Sequence, residues 1–135
     1  MRAFVLLAAA LFASGAFCQD VKLVSFPNFF GEPGIYLKNE GSKTVTVLTE
    51  GLSTASGDGV MSFSVSYWFV EAEGKKVKLK QSLCKFAPVH LAPGEIALLK
   101  TTVGADTKEV SYEIDKEFGE AHGIWVGRTT IKLKQ

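Results

Sequence analysis

From Val21 onward, apolar and polar side chains alternate in short runs broken by turn residues. A period of two predicts β-strands, because successive side chains of a strand point to opposite faces. The expected strands are Val21–Phe26, Gly34–Lys38, Thr44–Leu48, Met61–Val70, Lys76–Leu83, Ile96–Val103, Glu109–Ile114 and Trp125–Leu133. Turn residues separate them at Glu32-Pro33-Gly34, Asn39-Glu40-Gly41-Ser42, Ser56-Gly57-Asp58-Gly59 and Pro93-Gly94. No segment carries a helical stripe of useful length, and Asp115–Gly123 reads as a charged loop. About seven or eight strands in one small domain predict an all-β fold, an antiparallel β-sandwich in preference to a barrel.

The alternation is strictest from Met61, where Met61, Phe63, Val65, Tyr67 and Phe69 share one face and Ser62, Ser64, Ser66 and Trp68 the other. A three-residue turn at Ala72-Glu73-Gly74 would place Phe69 opposite Val77 and Tyr67 opposite Leu79. That register aligns the apolar sets of both strands. It sets Lys76, Lys78 and Lys80 beside Trp68 on the outer face.

The first residues have a different character. Met1-Arg2 brings one positive charge, Ala3–Ala13 is unbroken apolar sequence, and the small residues Ser14, Gly15 and Ala16 follow. This order predicts a secretory signal peptide over residues 1–18 and a single β-sandwich domain over 19–135. The apolar run is shorter than the roughly 20 residues that span a bilayer. No later stretch reaches that length, so the expected product is secreted or periplasmic, with no transmembrane segment. Cleavage after Ala16 would leave Cys18 and Cys84 together in an oxidising compartment, where they could pair as a disulfide. Cleavage after Cys18 also satisfies the small-residue rule and leaves Cys84 alone.

Charge removes some partners. The formal net charge of the 135-residue chain is +1, and loss of Arg2 brings the remainder near zero. Such a net balance gives no electrostatic case for nucleic acid or for acidic membranes.

Two motifs bear a resemblance. Tyr36 through Val45 reads as strand, Asn39-x-Gly41 turn and strand, and Leu91-Ala92-Pro93-Gly94-Glu95 opens a later strand. Together they resemble secreted immunoglobulin-like modules of the CARDB type. The resemblance implies an immunoglobulin-like sandwich with a structural or recognition role, and it carries over no site residue. The Cys–Trp–Cys spacing of antibody domains is absent.

Catalytic chemistry has little to stand on. His90 and His122 are the only histidines, far apart and each in a loop-like context. No Gly-x-Ser-x-Gly, phosphate-cradling loop or dinucleotide fingerprint occurs. His122 has only Glu117 and Glu120 near it, and Asp58 is a single carboxylate in a glycine turn, so no metal site is expected. The chain is expected to be no enzyme and to need no cofactor.

Binding chemistry has two candidates. Trp68, with Lys76, Lys78 and Lys80 across the strand, could stack on a glycan ring or anchor a protein. Phe29 and Phe30 are adjacent in a turn-rich loop, and an extended chain cannot send both into one core. The expected function is therefore a secreted, non-catalytic binding or structural module for a macromolecular partner. The alternatives are a small protease inhibitor presenting a mobile Gly51–Gly59 loop, and a carrier holding an apolar ligand between the sheets.

Overall fold

The computed structural model describes residues 20–80 and 86–134. The expected signal peptide, Cys18, Cys84 and the end of the expected Lys76–Leu83 strand lie outside the described residues. Eleven strands and one short helix make up the rest: β1 Val21–Pro27, β2 Pro33–Asn39, β3 Val45–Leu48, β4 Ser53–Gly57, β5 Val60–Val65, β6 Phe69–Ala72, β7 Lys75–Lys78, β8 Pro88–Leu91, β9 Ile96–Lys100, β10 Glu109–Ile114, α1 Lys116–His122 and β11 Gly127–Lys132. The all-β sandwich expected from the alternation is the architecture observed.

One sheet has the order β1-β2-β9 and the other β11-β10-β5-β4. Their inner faces supply the core: Val21, Leu23, Ile35 and Leu37 on one side, Phe63, Val65, Val110, Tyr112 and Ile114 on the other. The sheets meet along one edge, where the Leu23 amide donates to Thr129 Oγ1 at 3.2 Å. A two-stranded ladder, β3-β8, continues β2 and β9 past a corner.

Asn39 forms that corner. Its side chain is fully buried, and its Nδ2 donates to the Lys43 carbonyl at 2.7 Å and the Leu91 carbonyl at 2.9 Å. Its Oδ1 accepts from the Gly41 amide at 2.9 Å. Its backbone amide donates to the Glu95 carbonyl, and its carbonyl accepts from Gly94. The two turn motifs singled out in the sequence are thus one unit, with Asn39 of the first bonded to Leu91, Gly94 and Glu95 of the second.

Four expectations need correction. Met61–Val70 is not one strand: β5 ends at Val65, whose carbonyl accepts from Asp115, and β6 begins at Phe69. The neighbours of β5 are β4 and, in parallel, β10, so one pair departs from the antiparallel rule. Second, β6 and β7 pair with Phe69 opposite Lys78 and Val70 opposite Val77, one residue off the expected register. The turn uses two residues, Glu73 at φ +52° and Gly74 at φ +73°, the double-positive conformation whose twist suits a hairpin. No buried face holds this hairpin in register, so turn geometry prevails over apolar alignment. Third, Asp115–Gly123 is a capped helix. Asp115 Oδ2 accepts from the Phe118 amide at 3.1 Å, and Gly123 closes the helix at φ +69°. Fourth, the segment expected as the mobile loop Gly51–Gly59 contains strand β4 and its tight turn to β5.

Candidate functional site

Nine large apolar side chains are exposed among the described residues, and all fall into two groups. Scattered exposed apolar residues are ordinary, whereas grouped ones mark contact surfaces.

The first group is the outer side of the β1-β2-β9 sheet with the β1–β2 turn. Register puts Val24, Tyr36 and Leu98 in one row across the three strands. Phe26 packs on Tyr36 with ring centroids 5.7 Å apart, and Ile96 lies beside Lys38. At the turn, Phe29 is 97% exposed and Phe30 79% exposed. Their rings meet edge to face at 5.6 Å.

This tip is built, not loose. Asn28 Oδ1 accepts from the amides of Phe30 and Glu32 at 2.8 and 2.9 Å. Its Nδ2 donates to the Thr101 carbonyl at 3.1 Å, which ties the turn to the segment after β9. The Asn28 amide donates to the Glu32 carbonyl, and the Gly31 amide returns a bond to Asn28. Gly31 sits at φ +79°, a conformation that costs glycine nothing. Glu32 turns its carboxylate to the Thr102 hydroxyl. Beside the tip, Phe26, Pro27, Ile131 and Leu133 line an open groove of about 510 Å³ with Lys132 and Lys134.

The second group is the β6–β7 hairpin, carrying Trp68, Phe69, Val70 and Val77. The observed register divides the hairpin differently from the expected one. Lys76 and Lys78 share a face with Phe69, and Trp68 shares the opposite face with Val70 and Val77. Lys76 Nζ stands 5.0 Å from the Phe69 ring centre and Lys78 Nζ 4.3 Å from that of Tyr67. Lys78 also pairs with Glu117 of α1, and that contact holds its ammonium pKa above the ordinary value. Lys80 follows β7 and is exposed. Cation–π contacts thus form at Phe69 and Tyr67, and Lys78 anchors the hairpin to the helix.

The structure does not bring the two groups together. Phe26 and Pro27 lie against Ile131–Leu133, level with the start of β10, since Glu109 pairs with Lys132. Tyr67 and the hairpin follow Val65, which pairs with Ile114 at the other end of β10. Six strand residues separate those levels, about 17 Å at 3.3 Å per step.

The candidate chemical groups have structural occupations. His90 Nδ1 is 2.7 Å from the Thr46 hydroxyl. His122 Nδ1 is 2.9 Å from the Phe118 carbonyl, and its ring meets that of Phe118 in a tilted contact at 4.5 Å. Tyr112, fully buried, donates its phenol to the Leu48 carbonyl at 2.7 Å and accepts from the Leu48 amide at 3.2 Å. Burial drives its pKa well above the ordinary tyrosine value. Among the described residues no three His, Cys, Asp or Glu side chains cluster as metal ligands, and no helix is long and apolar enough to cross a membrane. The sequence pattern assigns no role to the side chains of Asn28 and Tyr112, and it marks Asn39 only as a turn residue. The signal for Asn28 was present, an Asn three residues ahead of a Gly between two prolines, which is turn-forming composition.

No known protein family, characterised protein or solved structure matches this chain.

Proposed function

We propose that the chain is an exported, non-catalytic binding module that docks on a macromolecular partner or assembly through apolar side chains displayed by its all-β body. The observation that carries this reading is the Phe29–Phe30 tip. Two phenylalanines stand almost wholly in water on a turn fixed by the hydrogen bonds of Asn28. A folded chain gains nothing from holding them there unless a contact covers them. The resemblance to CARDB-type modules belongs to the same proposal and adds the expectation of a recognition role.

The alternatives draw less support. A protease inhibitor would present an extended flexible loop, and the segment expected to do so is half strand. A carrier would need space between the sheets, where Tyr112, Val110, Ile35 and Leu37 are fully buried in one apolar core.

The test is a photo-crosslinking amino acid placed singly at positions 29, 68 and 130 in the exported protein. Thr130 is exposed on β11, outside both groups. Adducts from position 29 or 68 and none from 130 are expected. Equal or absent labelling at all three positions would remove the reading.

A further inference from the structure

The shape and charge around the tip define its partner further. A protruding pair of phenyl rings needs a partner that is concave or that yields. The groove at its base carries Lys132 and Lys134 and no carboxylate, while Glu32 turns toward Thr102. Lys134 lies two residues beyond the end of β11 and is exposed. Apolar rings ahead of a pair of ammonium groups match the layering of a lipid surface, hydrocarbon inside and anionic phosphate outside. The turn is also pre-organised by Asn28, so contact orders little additional backbone.

Building on the docking reading above, we propose that the β1–β2 tip is a membrane-interface wedge. Phe29 and Phe30 enter the acyl boundary of an anionic bilayer, and Lys132 and Lys134 meet its phosphates. The β6–β7 hairpin lies at the opposite end and does not touch the same flat surface.

Co-sedimentation with vesicles tests this, using phosphatidylcholine alone and an equal mixture of phosphatidylcholine and phosphatidylglycerol. The full mature protein is expected to bind the mixed vesicles and to bind them less as salt screens the lysines. The double variant Phe29→Ser, Phe30→Ser should lose about tenfold or more of that binding, given the apolar area withdrawn. Lys132→Gln with Lys134→Gln should weaken binding and flatten its salt dependence, and Thr130→Ala, outside both exposed groups, should leave it unchanged. Both phenylalanines are solvent-exposed, so the double variant should melt like the parent, which a thermal scan verifies. Failure to bind mixed vesicles, or binding indifferent to the two phenylalanines, overturns the lipid proposal. Crosslinks from position 29 to protein alone also overturn it, yet they leave the docking reading standing.

Discussion

Asn39 and Tyr112 are single side chains on which the sandwich turns. Asn39 satisfies two carbonyls and one amide at the corner, so Asn39→Ala removes all three bonds, including the buried one to the Leu91 carbonyl. The expected loss is about 2–3 kcal/mol, read as a lower urea midpoint with an unchanged slope. Tyr112→Phe removes both bonds to Leu48 and should cost about 1–3 kcal/mol. The same phenol links stability to pH. Its folded pKa is raised by burial, so the unfolded chain releases this proton first as pH climbs past about 10. The folded state then holds more protons than the unfolded one, and stability falls with rising pH. The parent should lose stability above that pH more steeply than Tyr112→Phe, as paired urea titrations would record. At this scale the sequence was only partly legible. Asn39 was visible as a turn residue, but its long-range bond to Leu91 follows from chain crossing and has no local signature. Tyr112 was placed on the correct strand, and nothing local says that its hydroxyl ends at Leu48.

Among the elements, legibility followed burial. Glu109–Ile114 was expected and is found with the same bounds, because its alternation is enforced by a buried face. The β6–β7 register was misread because both of its faces are exposed, leaving Glu73-Gly74 to set the pairing. Strand β4 has the sequence Ser-Thr-Ala-Ser-Gly, all exposed. With Ala55 as its single apolar member it carries no period to detect, and it is a strand because β5 offers it a ladder. Helix α1 is too short to show a stripe, though its Asp115 and Gly123 caps were readable. Its centre explains one glycine. A methyl group at Gly119 would run into the Val126 side chain and come within 3.0 Å of the Ile124 carbonyl. Gly119→Ala should therefore destabilise by about 1–3 kcal/mol through overpacking, although alanine favours a helix by about 1 kcal/mol. A lowered melting temperature checks this. A raised one would mean that α1 is not seated against Ile124 and Val126 as described.

For the whole molecule, the consequence of the fold is separation. The residues singled out for binding, Phe29 and Phe30 with Trp68, Lys76, Lys78 and Lys80, share no surface. The sandwich holds them at the two ends of β10, and one flat partner engages one end at a time. That arrangement was not legible in the sequence, because it depends on the parallel β5–β10 pairing of segments more than forty positions apart. Docking through the tip requires the β1–β2 turn to be ordered before any partner arrives. Residue-resolved amide exchange by NMR on the free, labelled protein tests this most directly. Slow exchange is predicted for the Phe30 and Glu32 amides, with both becoming fast in Asn28→Ala while core amides such as that of Leu48 stay slow. Rapid exchange of Phe30 and Glu32 in the parent would mean a loose turn with two idle phenylalanines, and the docking account would fail with it.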